Sequence, residues 1–445
     1  MRLYNDLKLR FTSGNWALYP ELALFDIILE KNPQFIKIIS NDVLEGINKT
    51  HYGRKDSPTV EQILRAAIYK EIKQLTYRDL ERDMYDSKIC SEFLRLETDQ
   101  GFSYSVLQKY ISKIREESIR SIILEINKIA ISEGLEKLEK ISTDTTVIET
   151  NIHYPTNNSL IYDCIEVATR LLKRIKKDNK DDQDKLDQNK KSAKILNFKI
   201  NNSKKDDHPT LFDPYLSVLL DLIFESWREI RSNTTKKSVK LVCELKTLLP
   251  MMIKSYRNAK SHEIDKVPVK NEDKIFSIHE PHSQIIVKGK REVEFGHKCL
   301  VTRGSSTLLL DYKVFEGIPS DKNLLLPSIQ SIKENYKRTP ISTSNDGGFC
   351  SNANIKGCIK EGIVNVVFTK ITKSLKNIVD SIEIENELKR WRGTTEAVIS
   401  NLKRGFGLNR VTWEGFDKFC SKVAWGVLGY NLRVISNRLL EIKCS

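Results

Sequence analysis

The sequence predicts an α/β protein in which a helical N-terminal domain precedes a mixed sheet, and a mostly helical insertion follows the first strand of that sheet. Apolar residues recur at helical spacing near the N-terminus, alternate in short runs after about residue 274, and return to helical spacing in between. A chain of 445 residues also exceeds what one hydrophobic core usually organises. The predicted regions are 1–138 (N-terminal domain), 139–154 (first strand), 155–272 (insertion) and 273–445 (remaining core and C-terminal helices).

The N-terminal domain begins its clearest helix at Thr59, which forms a predicted capping box with Gln62, and this helix runs to about Lys73. A second helix starts after Thr76, and a long amphipathic helix is predicted from Tyr104 to about Ile131. Short helices with tight turns are compatible with a helix-turn-helix-like DNA-binding or dimerisation region, and equally with any helical bundle. The basic residues considered for DNA contact are Arg65, Lys70, Lys73, Arg78 and Arg82.

The insertion follows a strand predicted over about residues 141–152. Its apolar spacing predicts helices at about 159–177, 210–231 and 236–257. Residues 173–208, which join the first two, mix Lys, Asp and Asn with few apolar side chains. This composition indicates either a solvated helix extension or a mobile tether.

The remaining core reads as strands and helices in alternation. The runs IIVKGK, EFGHKCLVTR and TLLLDYKVFEG predict strands, and a Gly-Ser turn makes the last two an antiparallel hairpin. A helix from about Leu324 to Tyr336, the run ISTSND, a helix over Ala353–Glu361 and a buried strand IVNVVF follow. Helices are predicted from about Asn386 to the C-terminus.

The charge balance favours a polyanionic partner. Lys and Arg number 73 against 59 Asp and Glu, which gives a net charge of +14 and a pI near 9.2. The eight cysteines are scattered without a CxxC pair, which predicts reduced thiols rather than a zinc ribbon or a disulfide framework. Residues 1–16 lack an apolar leader segment, and no run is long enough to span a membrane. We therefore expect a cytoplasmic, nucleoid-associated protein with no membrane contact.

Two predicted strands carry an acidic residue at a strand end. Asp144 lies in ISTDTTVIE, and Asp346 lies in ISTSNDGGF directly before Gly347 and Gly348. Ligands of α/β sheets bind where strands end, so both carboxylates are candidate site residues. Each has a simpler explanation, because Asp before Gly-Gly commonly forms a turn and Asp144 can cap a loop.

A third acid lies on a predicted helix. In KRWRGTTEAVISNLKRGFGLNR, Arg392, Glu396 and Lys403 fall on one helical face, which is also the pattern of an exposed salt-bridging stripe. This segment resembles the DDE transposases of bacterial insertion sequences, whose signature is Tyr-x2-Arg-x3-Glu-x6-Lys. Lys389 stands at the Tyr position, so one DNA contact of that signature differs.

The resemblance extends to TDTTVIETNIHYPTNNSLIYD as the first-acid strand, SNDGGF as the second, and residues 58–96 as the N-terminal helical region. It implies a ribonuclease-H-like catalytic core in which Asp144, Asp346 and Glu396 are the catalytic residues and hold two Mg²⁺ or Mn²⁺ ions. Hard divalent cations independently prefer carboxylate oxygens. The implied function is cleavage of element-end phosphodiesters and transfer of the 3′-hydroxyl into target DNA.

The implied partners are double-stranded DNA, at the element's terminal inverted repeats and at the target, and a second copy in an active homodimer. Residues 387–445 hold 11 Lys and Arg against 5 Asp and Glu, so positive charge collects near the third acid. The DNA-binding candidates are Arg392, Lys403, Arg404, Lys389 and Arg410. Many relatives carry their large insertion before the third acid, whereas here 202 positions separate Asp144 from Asp346.

Two other functions fit the same residues: a nuclease that cuts without joining, and a catalytically silent DNA-binding repressor. The intact acids argue against the repressor. His279, His282 and His297 lack zinc-like spacing and are interpreted as structural. Trp391 and Trp413 could stack on an unpaired base, although partial burial is the commoner role of such residues.

Overall fold

The chain divides into two compact units. The core unit comprises residues 1–151 and 296–445, and the insertion unit comprises residues 152–295. The computed structural model describes residues 19–46, 57–97, 100–177, 179–232, 239–288, 292–371 and 374–444. Residues 1–16, expected to lack a leader segment, lie outside this described part. None of the described helices is both long and apolar enough to cross a membrane.

In the N-terminal part of the core unit, the described residues form seven α-helices. They are α1 (Pro20–Lys31), α2 (Gln34–Val43), α3 (Val60–Lys73), α4 (Tyr77–Asp86), α5 (Lys88–Phe93), α6 (Tyr104–Ile111) and α7 (Glu116–Ser132). The capping box predicted for α3 is confirmed, because the Gln62 amide donates to Thr59 Oγ1 at 3.1 Å and the Thr59 amide to Gln62 Oε1 at 2.9 Å. The start of α4 after Thr76 is also confirmed, with Thr76 accepting from the Asp79 amide.

Two basic residues of α3 are buried in ion pairs. Arg65 is fully buried and contacts Asp26 at 2.6 Å and Glu61 at 2.9 Å. Lys70 is 7% exposed and pairs with Glu71 at 3.3 Å. Arg65 and Lys70 therefore do not form part of a DNA-contacting face, because their charged groups are buried in these ion pairs, whereas their burial agrees with the alternative of a helical bundle.

The long helix predicted from Tyr104 to Ile131 is interrupted. α6 ends at Ile111 and α7 begins at Glu116, so residues 112–115 form a break. An acceptor from another helix stabilises the new start: Asp42 of α2 accepts a hydrogen bond from the Arg115 amide at 2.9 Å. Glu116 and Glu117 in the first turn add the negative charge that a helix N-terminus favours.

The described residues of the insertion unit form four α-helices, which have an apolar core of their own. They are α8 (Asn157–Ile175), α9 (Lys180–Asn201), α10 (His208–Ser232) and α11 (Val239–Ala259). The stretch predicted to be a helix extension or a tether is instead a separate helix, α9, which begins at the cap Asn179. Its buried residues, Leu186, Ala193 and Ile200, recur every seven positions and form the apolar stripe that packs into this core.

The described residues form seven strands: β1 (Lys140–Thr150), β2 (Gln284–Lys288), β3 (Glu292–Arg303), β4 (Leu309–Val314), β5 (Ser342–Asn345), β6 (Asn365–Phe368) and β7 (Arg410–Val411). β2 is a neighbour of β3, and the end of its predicted run, 289–290, lies outside the described residues. In the core unit, β3 is antiparallel to both β1 and β4, which confirms the predicted hairpin. β5 runs parallel to β1, and β6 runs parallel to β5. The short β7, which was not predicted, pairs with the far end of β1.

Four further α-helices of the core unit are found among the described residues: α12 (Leu325–Tyr336), α13 (Asn352–Lys360), α14 (Ile382–Gly405) and α15 (Phe416–Cys444). α14 lies on β1, β5 and β6, whereas α15 packs against α1, α3 and α7. A buried amide network links the N-terminal helices to the sheet. Asn431 of α15 exchanges hydrogen bonds with the Leu309 backbone at 2.8 and 3.0 Å and donates to Asn127 of α7 at 2.9 Å. The N-terminal helices and the sheet thus share one core.

A candidate carboxylate site

The register between β1 and β5 places two of the candidate acids at corresponding positions along these adjacent strands. Lys140 pairs with Ser342 and Ile141 with Thr343, an offset of 202 positions that also relates Asp144 to Asp346. Asp346 follows the last residue of β5, as expected. Asp144 does not end its strand, contrary to expectation, because β1 continues as the partner of β3 after β5 has stopped. Both carboxylates therefore lie where β5 ends and β1 runs on.

A buried arginine of β3 fixes α14 against this part of the sheet. Arg303 is fully buried, and it donates from Nε to Thr395 Oγ1 at 2.7 Å and from Nη2 to the Trp391 carbonyl at 2.6 Å. Thr395 in turn donates to Ser142 Oγ of β1 at 3.1 Å. Residues 391 and 395 immediately precede Arg392 and Glu396. Arg303 therefore sets the position of both side chains relative to β1.

The Arg392 guanidinium faces all three candidate acids. Its Nη2 lies 2.8 Å from Asp144 Oδ2 and 3.9 Å from Asp346 Oδ1, and its Nη1 lies 3.3 Å from Glu396 Oε1. The side chains of Arg392 and Asp144 are each 13% exposed, Asp346 is 43% exposed and Glu396 is 73% exposed. Asp144 thus forms the closed end of the site, and Glu396 forms its open end.

The two aspartates differ in their proton affinity. Burial raises the pKa of Asp144, the neighbouring Asp346 acts in the same direction, and Arg392 only partly offsets the rise. Burial also acts to raise the pKa of Asp346, but hydrogen bonds from the Gly347 amide and the Thr369 hydroxyl, together with Arg392, outweigh it and leave that pKa lowered. Asp346 is therefore the more readily ionised of the two.

The glycine after Asp346 permits a close approach of two backbones. A Cβ added at Gly347 would lie 2.7 Å from the Cβ of Lys370 and 2.8 Å from its carbonyl oxygen. Lys370 follows β6, so this contact holds the turn after β5 against the end of the next strand. The Gly-Gly turn predicted from the sequence thus has a steric role beside Asp346.

The five candidate DNA contacts occupy different environments. Arg392 lies in the carboxylate site, whereas Lys389 pairs with Glu385 at 2.6 Å and Arg410 with Glu149 at 2.9 Å. Arg404 is exposed on α14, beside Ser400, and Lys403 is half-buried on the same helix. Lys389, Lys403, Arg404 and Arg410 therefore lie on the C-terminal elements but outside the group of residues that Arg392 joins.

The histidines and tryptophans set aside earlier have ordinary structural contacts. His297 is buried between the rings of Phe416 and Phe419 in the core unit, whereas His282 hydrogen bonds to Glu280 in the insertion unit and His279 is exposed there. Trp391 and Trp413 are both half-buried, and the Arg303 guanidinium lies 3.9 Å from the Trp391 ring centroid. The structural interpretation of His282 and His297 is thus consistent with their contacts.

The sequence did not single out two polar residues near the acids. Arg303 had one usable signal, a charged residue at the end of the apolar run CLVTR. Asp321 accepts a hydrogen bond from the hydroxyl of Thr145 at 3.1 Å and pairs with Lys298 at 2.6 Å. It begins a short 3-10 helix, and the sequence offered no signal for its role. Both are brought to the site by contacts between distant parts of the chain.

The acids are arranged around an arginine rather than in metal-binding positions. Within the described part of the chain, no three His, Cys, Asp or Glu side chains are grouped closely enough to hold a metal ion. The chemistry of the donor set nevertheless suits a hard cation, because three carboxylates already face one positive group.

Comparison with known proteins gives one result. Neither a curated protein nor a solved structure matches the chain. Residues 272–432 match the family model described as the transposase DDE domain. The matched residues include Asp346 and Glu396, and Asp144 precedes them. This match supports a DDE transposase.

Proposed function

We propose that the chain is the transposase of a bacterial insertion sequence, which cuts DNA at the element ends and joins the released 3′-hydroxyl to target DNA. One observation carries the proposal: Asp144, Asp346 and Glu396, from three separate elements, all face the same cationic group. The family match over residues 272–432 supports it independently.

A ribonuclease-H-like core is part of this proposal. In the core unit the strands lie in the order β4, β3, β1, β5, β6. β3 runs antiparallel to both of its neighbours, β4 and β1, and β5 and β6 run parallel to β1. The acids sit on β1, after β5 and on the helix α14 that covers them. This order supports the fold that the resemblance implied.

In the proposed site, Asp144, Asp346 and Glu396 hold two Mg²⁺ or Mn²⁺ ions. Such ions supply a Lewis acid that activates the attacking oxygen and stabilises the leaving oxygen of the phosphodiester. The chain itself supplies the anionic ligands and holds the elements that carry them in fixed positions relative to one another. Asp346 suits this role because its pKa is lowered, and Asp144 suits it because Arg303 and Ser142 hold the covering helix beside it.

The proposed partners are double-stranded element ends and target DNA, bound by a homodimer. Arg392 and Lys403 would neutralise phosphates, with Lys389, Arg404 and Arg410 adding positive charge along the same C-terminal elements. The excess of basic residues over residues 387–445 supports this placement.

The test uses purified protein, Mg²⁺ and a DNA fragment that carries the sequences flanking the coding region. We expect nicking at the element ends and joining of the new 3′-hydroxyl to a target plasmid. Asp144→Asn, Asp346→Asn and Glu396→Gln should each lower both reactions by roughly 10²–10³-fold or more, because each removes a charged ligand from the site. Glu383→Gln, which changes an exposed acid in the first turn of α14, is the matched control and should leave both unchanged.

Two outcomes would contradict the proposal. Unimpaired acid variants would show that the reaction does not use these carboxylates. Cleavage without any joined product, at all target concentrations, would identify a nuclease instead of a transposase.

A further inference from the structure

We propose that in the metal-free protein Arg392 occupies the place that divalent cations take among Asp144, Asp346 and Glu396, and that it has to leave before the metal site can form. The inference rests on the proposed function, because it takes those three carboxylates as the metal ligands. It gives Arg392 a second role beyond contact with DNA.

The contacts of Arg392 are those of a substitute cation. A single guanidinium reaches one acid from β1, one that follows β5 and one from its own helix. The closest contact, 2.8 Å, is to Asp144, whose side chain is only 13% exposed. A buried carboxylate without a neighbouring cation is unfavourable, so the metal-free site requires a positive group at this position. Arg392 supplies it.

The same geometry is incompatible with bound metal. Mg²⁺ holds oxygen ligands at ~2.0–2.1 Å, so two oxygens on one ion are about 4 Å apart at most. The guanidinium contacts Asp144 through Nη2 at 2.8 Å and Glu396 through Nη1 at 3.3 Å, so its nitrogen atoms take the contact positions that an ion shared by these two carboxylates would need. The absence of any three-ligand cluster among the described residues agrees with this spacing. Arg392 therefore has to move for the acids to close on a metal ion.

Arg392 is not fully satisfied where it lies. Its Nε is buried without a hydrogen-bond partner, and its 3.9 Å contact with Asp346 is too long for a hydrogen bond. Glu396 is 73% exposed, so its side chain can turn towards solvent or towards a metal ion. The arrangement stabilises the acids without locking the arginine in place.

A DNA phosphate is the partner that we expect for the displaced arginine. Divalent cations in the site repel its positive charge, and the anion that approaches this site during the proposed reaction is a DNA phosphate. A phosphate that binds Arg392 removes it from the acids and so raises their affinity for metal. By thermodynamic linkage, bound metal then raises the affinity for DNA by the same factor. The proposal thus predicts positive coupling between metal and DNA.

The test measures Mn²⁺ binding to the full-length protein without DNA, from the electron paramagnetic resonance signal of free Mn²⁺. Arg392→Gln should bind Mn²⁺ about tenfold or more tightly than the wild type, because the competing charge-assisted contacts are gone. Arg390→Gln is the matched control, since it removes one positive charge from an exposed position of the same helix. An affinity of Arg392→Gln no higher than that of Arg390→Gln would overturn the proposal.

A second variant keeps the proposal testable if Arg392→Gln folds poorly. Arg392→Lys keeps the charge but cannot contact acids on two sides with one planar group. It should also bind Mn²⁺ more tightly than the wild type, and Mn²⁺ should raise its melting temperature by more than that of the wild type. Equal Mn²⁺ affinity and an equal melting shift would count against the proposal.

The failure of this proposal can be told apart from failure of the proposed function. A wild type that cuts and joins DNA, with an Arg392→Gln variant that binds Mn²⁺ no more tightly, overturns only the role of Arg392. A wild type that never cuts DNA, with tighter Mn²⁺ binding in Arg392→Gln, supports the role of Arg392 and overturns the transposase.

Discussion

The ion pairs that join distant elements of the core unit differ from those that join α8 to α9 in the insertion unit. In the core unit, Glu71 of α3 contacts Lys422 of α15 at 2.5 Å across 351 positions, and Asp144 contacts Arg392 across 248 positions. Both acids are largely buried. These contacts form only when distant parts of the chain have come together.

In the insertion unit, the ion pairs that join α8 to α9 are local and lie at the surface. Lys173 pairs with Asp187 over 14 positions, and Lys190 pairs with Glu166 over 24. All four side chains are between 31% and 49% exposed. Solvent screens such pairs, so they contribute little to stability. The comparison teaches that buried charge in this protein marks places where distant elements have to be held in a fixed relation.

The strongest test of this comparison is the buried group of Glu71, Lys70 and Lys422. Glu71→Gln should lower the free energy of unfolding by about 3–5 kcal/mol at pH 7, because it leaves two buried lysines without their carboxylate. Urea denaturation measures the change. Asp187→Asn, the matched change in the insertion unit, should have little effect.

The same variant has a defined pH dependence. Burial acts to raise the pKa of Glu71, but Lys422 and Lys70 outweigh it, so its pKa is lowered on folding. A lowered pKa contributes stability above the pKa of an unfolded Glu, about 4.3, and that contribution is lost as the pH falls through the folded value. The difference between wild type and Glu71→Gln should therefore shrink below about pH 4. A difference that stays constant down to pH 3 would contradict the assignment.

A second test separates stability from positioning at Arg303. Burial lowers the pKa of Arg303 to about 10, and its Nη1 lacks a hydrogen-bond partner, so this arginine is poorly compensated where it lies. Arg303→Met should change stability by less than about 1 kcal/mol. It should lower DNA cleavage by roughly 100-fold, because α14 loses the contacts that place Arg392 and Glu396.

The control for Arg303 is the other large buried arginine, Arg65. Arg65 pairs with two acids, so Arg65→Met should destabilise the fold by about 3–5 kcal/mol and leave cleavage per folded molecule unchanged. If Arg303→Met cleaves DNA at the wild-type rate, the helix does not depend on this contact for its position.

The smallest expected effect concerns the turn after β5. Gly347→Ala should destabilise the protein by about 1–3 kcal/mol and reduce cleavage, because the new methyl group would overlap Lys370 beside Asp346. Gly393→Ala is the matched control within α14, where a Cβ has open space and alanine favours the helix by about 0.5–1 kcal/mol. Thermal unfolding and cleavage of both variants measure the contrast, and equal behaviour would exclude a steric role for Gly347.

Features set by local sequence could be predicted. The capping box at Thr59, the helix start after Thr76, the β3–β4 hairpin and the neighbouring positions of Arg392 and Glu396 all follow from spacings of a few residues. The structure contains each of them. The sequence also contains the periodicity of α9, as three apolar residues seven positions apart. The many charged residues of this segment favoured a solvated extension or tether over a packed helix.

Features set by distant contacts could not be predicted. The break before α7 depends on Asp42, and the burial of Arg65 depends on Asp26. The corresponding positions of Asp144 and Asp346 on adjacent strands depend on the strand register. No spacing within one segment encodes these contacts. The central place of Arg392 among the acids is of the same kind, because its spacing predicted only the contact with Glu396.

The order of the acids along the chain has a consequence for synthesis. During synthesis Asp144 is made first, Asp346 some 200 positions later, and the helix with Glu396 later still. Asn127 likewise cannot form its hydrogen bond until Asn431 has been made. A nascent chain stopped before α14 would carry two carboxylates but neither the third nor the arginine that neutralises them. On the proposed function, a chain terminated before α14 would therefore lack a complete carboxylate site.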